Sequence, residues 1–93
     1  MIQSFKDVDT RSIFNRQRVR SMHPDLQAAA RRKLIMLDAA ISLAVLGAVP
    51  GNRLEALGGD RLGQHSIRIN RQWRICFRWE VDGAHDVEIT DYH

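Results

Sequence analysis

A chain of 93 residues, 44% hydrophobic and 27% charged, has the composition of a single folded soluble domain over 1–93, burying roughly 60–65% of its unfolded surface. Its one cysteine, Cys76, excludes an internal disulfide and fits a reducing cytoplasm, while a signal peptide's apolar core and the ~18 apolar residues of a membrane span are both missing. The net charge is only +3, yet 12 of the 14 basic residues are arginine and the pI is about 9.8, a bias that suits phosphate or acidic-protein partners and equally a GC-rich genome.

In chain order, Met1–Phe5 is a short candidate strand ended by the polar pair Lys6-Asp7. Asp9 or Thr10 can cap a first helix running to Arg18 or Arg20, with Ile13 and Phe14 as its apolar anchors. Pro24 suits the first turn of a second helix, and Asp25 suits the positive end of its dipole. Ala30, Leu34, Leu37, Ile41 and Ala44 step by helical spacing, so this helix is expected to reach about Leu46, with a break near Ser42 as a variant. Residues 47–64 hold five of the six glycines and predict a loop, with a short structured piece at Arg53–Leu57 and a turn at Gly58-Gly59-Asp60.

Three strands follow. His65–Asn70 sets Ile67 and Ile69 against Ser66, Arg68 and Asn70. Trp73–Glu80 sets Trp73, Ile75, Phe77 and Trp79 against Arg74, Cys76, Arg78 and Glu80. Asp82-Gly83 marks a hairpin turn, after which Val87 and Ile89 point one way and Glu88, Thr90 and Tyr92 the other. The pattern predicts an α+β fold of order β-α-α-β-β-β. Two N-terminal helices pack on one face of a small, mainly antiparallel sheet, with Met1–Phe5 at its edge.

Covering the apolar face leaves Arg68, Arg74, Arg78 and Tyr92 on the other. Such a set can form a basic groove that holds an RNA backbone and stacks a base; it can also be a solvated face paired with Glu80 and Glu88. His93 has the chemistry to move a proton near neutrality, and RNA can be cut without metal when its own 2′-OH attacks the neighbouring phosphate. That route needs a proton acceptor, positive charge on the phosphate and a proton donor; His93, Arg74 and Arg68, and Tyr92 or Asp91 could supply them. The four histidines lack metal-ligand spacing with Cys76, so no metal site is expected, and no phosphate-cradling glycine pattern is present.

The stretches MIQSF, RRKLIMLDAA, PGNRLEALGGDRLGQHSIRIN, QWRICFRW and VEITDYH resemble, from end to end, the HigB toxins of the RelE/ParE superfamily, closest to the GraT-like, plasmid-maintenance "killer protein" branch. The resemblance implies a RelE-like fold and a cofactor-free, ribosome-dependent endoribonuclease that cuts messenger RNA in the decoding site of the 30S subunit on the 70S ribosome. It places the family's terminal Asp-Tyr-His on Asp91, Tyr92 and His93 and its strand arginine on Arg74. Arg61, Arg68, Asn70 and Arg78 complete the candidate RNA contacts. Two positions depart from the studied enzymes, which carry a histidine and a lysine where this chain has Glu55 and Gly58. A second strand arginine of those enzymes falls on Asn70, with Arg68 two residues away on the same face. A slower ribonuclease is implied, or a toxin that acts by binding gyrase or interfering with ribosome biogenesis. The implied partner is a HigA-like antitoxin with a helix-turn-helix domain, so operator DNA is met only through the complex.

Overall fold

The structure, a computed structural model, describes residues 1–92. Helices α1 (Val8–Phe14), α2 (Pro24–Ala39) and α3 (Leu43–Ala48) precede β1 (Glu55–Ala56), a 3-10 turn at Gly59–Arg61, and strands β2 (His65–Arg68), β3 (Arg74–Glu80) and β4 (Gly83–Thr90). The sheet is antiparallel in the order β1-β2-β3-β4. Met1–Phe5 runs parallel to β4 through bridges Ile2↔Ala84 and Phe5↔Val87, at the edge predicted for it. Asp38 on α2 holds this segment by accepting from the Ile2 N–H at 2.8 Å.

The first helix is capped two to three residues before the Asp9 or Thr10 that its sequence predicts and ends four to six residues short of Arg18 or Arg20. Its cap is Asp7, whose carboxylate accepts from the Thr10 N–H at 3.0 Å and from the Thr10 hydroxyl at 2.7 Å. It stops after Phe14 in a Schellman arrangement: the Gln17 N–H reaches Ser12 O, the Arg16 N–H reaches Ile13 O, and Arg16 takes a left-handed φ of 63°. Glycine usually occupies that position, so an arginine there hides the helix end from sequence reading.

The loop after α1 is fixed by Gln27. Its carboxamide accepts from Val19 N–H at 3.0 Å and donates to Val19 O and Met22 O, each at 2.7 Å. These bonds satisfy backbone groups that a longer helix would otherwise have paired. α2 starts at Pro24 as predicted but ends at Ala39. Ala40 is extended, and Ser42 then caps α3 by accepting from Val45 N–H at 3.2 Å. Ile41 therefore leaves the predicted stripe and lies 87% exposed, while Leu46 takes its place in the core.

Ala30, Leu34 and Leu37 of α2 pack on Ile67, Ile75, Phe77 and Val87 of the sheet, all fully buried. Burying each larger side chain contributes roughly 1.5–3 kcal/mol. Trp73 and Trp79 flank this core half-buried. A bulge between Cys76 and Arg78 of β3 and their β4 partners puts Asp86 at φ 52°, where Ser4 Oγ accepts from its N–H at 2.9 Å. Gly83 opens β4 at φ 125°, and a Cβ there would stand 2.0 Å from Met1 O. Only glycine fits beside the N-terminal segment at this point.

Candidate active site

On the uncovered face, β2 and β3 set Arg68 opposite Arg74 and Ser66 opposite Cys76, while Arg74 also faces Thr90 of β4. Small residues at Ser66 and Cys76 make a floor over which longer side chains fold, and both are buried. Burial pushes the Cys76 thiol up to about 11, so it is protonated at neutral pH and serves as packing.

Arg74 is the best-anchored side chain of this face, 12% exposed. Its Nε donates to Ser66 Oγ at 2.7 Å, and its Nη2 donates to Arg53 O at 2.5 Å and to Ser66 O at 3.3 Å. Ser66 Oγ also shares a hydrogen bond of 2.9 Å with the Tyr92 hydroxyl. One buried serine thus couples the guanidinium to the phenol. Nη1 of Arg74 donates no hydrogen bond among the described residues and faces Glu55 Oε1 at 3.8 Å. Arg53 presents its carbonyl from a left-handed backbone, φ 45°.

These groups line an open cavity of about 280 Å³, walled by Arg53, Glu55, Arg68 and Arg74 and closed by Asn70, Arg71, Gln72 and Tyr92. Of the sequence-predicted residues, Arg68, Asn70, Arg74 and Tyr92 meet here. Asn70 shapes the β2–β3 turn: its Oδ1 accepts from Gln72 N–H at 2.9 Å and Trp73 N–H at 2.8 Å, and its carbonyl accepts from Arg68 Nε at 3.0 Å. Asp91 accepts from Gln72 Nε2 at 2.8 Å, which ties the segment after β4 to the same turn.

Two predicted arginines lie outside this lining. Arg61 stands behind Tyr92, its guanidinium 5.6 Å from the ring centre, a contact worth about 0.5–1 kcal/mol at exposed sites. It donates to Glu88 at 2.9 Å and Gln64 at 3.2 Å. Burial opposes the charge on Arg61, but the Glu88 hydrogen bond together with the electrostatic influence of Cys76, Glu88 and Tyr92 outweighs it, so its pKa is raised. Arg78 sits across the bulge from the cavity and pairs with Asp86 at 3.0 Å. His93 lies outside the described residues.

Sequence parity missed Arg53, Arg71 and Gln72 because they sit in loops, where alternation carries no information. Gly58 stays outside the lining, whereas Glu55 is part of it.

The sequence model of the RelE-like HigB toxins of type II toxin–antitoxin systems matches residues 3–93. Toxin HigB-1 of Vibrio cholerae serotype O1 is 44% identical over 68 residues, 73% of this chain and 70% of the relative. In structure, the chain is similar to one in the YoeB–YefM complex from Staphylococcus aureus, with a TM-score of 0.62 over 100% of this chain and 98% of the other, at 14% identity. At that identity the likeness shows the fold alone.

Proposed function

The chain belongs to the RelE-like HigB toxins of type II toxin–antitoxin systems, and we propose that it is a ribosome-dependent endoribonuclease that cuts messenger RNA through attack of the substrate's own 2′-OH. The observation that carries this reading is the Arg74–Ser66–Tyr92 chain at the floor of the basic cavity. It fixes a cation and an aromatic ring beside each other before substrate arrives, so little reorganisation is needed as charge develops on phosphorus.

In the step, the 2′-oxygen bonds to phosphorus as the bond to the 5′-oxygen breaks. The 2′-OH proton passes to an acceptor, and the departing 5′-oxygen takes a proton from a donor. The products are a 2′,3′-cyclic phosphate and a 5′-hydroxyl. The open Nη1 of Arg74, with Arg68, holds the phosphate oxygens, and Tyr92 positions a base. Asp91 together with His93 manages the protons. Arg61 acts through Tyr92, as a positioning residue.

The ribosome's role in this proposal is to present a splayed single strand to a shallow site. The antitoxin is proposed to be HigA-like, with operator DNA contacted through the complex. No helix among the described residues is long and apolar enough to cross a membrane, and ribosomes as target place the action in the cytoplasm.

Glu55 supports a second reading. A carboxylate 3.8 Å from Arg74 lowers the positive potential where phosphate must sit, as in a toxin that blocks gyrase or ribosome assembly by binding. Mapping messenger-RNA 5′ ends after induction separates the two. New ends on translated messages, absent when translation is blocked beforehand, fit cleavage; growth arrest without new ends fits binding.

A further inference from the structure

A second cavity of about 280 Å³ lies between the α1–α2 loop and α2 and shares no lining residue with the groove. Arg16 and Arg18 of the loop and Arg31 of α2 line it, beside Gln27 and the apolar Ile13 and Ala28. None of these three arginines takes part in an ion pair among the described residues. The Nε of Arg31 is buried with no hydrogen-bond partner among the described residues. A buried donor left unmatched is costly, and an incoming acceptor would remove that cost.

The cavity is also built in advance. The Gln27 carboxamide fastens Val19 and Met22, and Val19 is 7% exposed, so the loop carrying Arg16 and Arg18 is held against α2. Guanidinium forks bind carboxylates and phosphates alike. Shape decides between them. A phosphate ridge on RNA is convex and hydrated, whereas this hollow has an apolar wall at Ile13 and Ala28 that suits a side chain on a protein segment.

We propose that this cavity docks a carboxylate-bearing segment of the antitoxin, with Arg18 and Arg31 pairing the acid and Arg16 closing over it. The proposal rests on the chain being the toxin of a two-protein system and stands apart from the cleavage reading.

The test is titration of the full-length toxin with its antitoxin, using Arg18→Glu and Arg16→Asn; the asparagine tolerates the left-handed backbone at that site. Arg18 is exposed, so its charge reversal leaves the fold intact. Each variant is expected to weaken binding, Arg18→Glu by ~10-fold or more. Arg78→Gln, which removes a charge from the other region, should change it less than ~2-fold. Equal affinity for wild type and Arg18→Glu overturns the proposal, as does an equal loss in Arg78→Gln. Displacement of the antitoxin by a 12-residue polyuridine, in an Arg18-dependent manner, would reassign the cavity to RNA and also overturn it.

Discussion

On the sheet and the turn beside it, Arg61, Arg74 and Arg78 each face a carboxylate of the same chain, Glu88, Glu55 and Asp86; around the α1–α2 cavity, Arg16, Arg18 and Arg31 face none among the described residues. The chemistry of the side chain is the same in both regions, and its surroundings differ. Internal carboxylates hold Arg61, Arg74 and Arg78 in place at the expense of positive potential. On the helix side the potential is kept, and the geometry is left for a binding partner to complete. A site that must orient one phosphate gains from the first arrangement, and a docking surface gains from the second.

The sharpest way to break this contrast is to keep the charge at Arg74 and remove its fork. Arg74→Lys retains a cation but replaces the planar fork, whose Nε and Nη2 reach Ser66 and Arg53 separately, with a single ammonium, and it should slow cleavage by ~10²-fold in single-turnover assays. A loss under ~3-fold would mean that charge alone matters there. Ser66→Ala attacks the coupling directly, leaving Arg74 Nε and the Tyr92 hydroxyl without their shared partner. We expect ~10-fold slower cleavage and about 1–3 kcal/mol less stability by urea titration.

Glu55→Gln shifts the sheet region toward the unpaired type. Removing one half-exposed carboxylate near Arg74 should tighten single-stranded RNA binding by only ~2–5-fold, most clearly at low salt. No change, or weaker binding, would show that Glu55 orients Arg74 more than it competes with phosphate.

The effect furthest from the chemistry is a pH signature in stability, beneath the paired face. The Cys76 thiol is raised from 9.0 to about 11 by burial. Its contribution is complete below the unfolded thiol's value and is lost as pH rises from about 9 to about 11. Wild type should therefore lose on the order of 2–3 kcal/mol more than Cys76→Ala across that window. Identical pH slopes for the two would place the thiol in contact with water.

Much of the fold was legible because it depends on local pattern. Alternation gave the inward set Ile67, Ile75, Phe77, Val87 and Ile89, and Pro24 gave the start of α2. What escaped was set by contacts distant in sequence or by an unusual residue at a signal position. The end of α1 carries Arg16 where glycine would have announced it, and Gln27 replaces helical bonds across the following loop. The short structured piece expected at Arg53–Leu57 is β1, whose two residues are too few for alternation to mark it as a strand.

The candidate site divides in the same way. Arg68, Arg74 and Tyr92 fell on the uncovered face by parity, but parity cannot say which outward residues converge. The β4 bulge and Asp86 draw Arg78 elsewhere, and the pairing of Ser66 with Tyr92 joins residues 26 apart.

Ribosome-dependent cleavage through Arg74 is tested with 70S ribosomes programmed with an end-labelled message, comparing wild-type toxin with Arg74→Ala and checking both by circular dichroism. Cuts are expected only with ribosomes present, leaving 2′,3′-cyclic phosphate ends, and are expected to fall by ~10²–10³-fold in a folded Arg74→Ala. Intact message with the wild-type toxin, or equal cleavage by the folded variant, would contradict cleavage through Arg74.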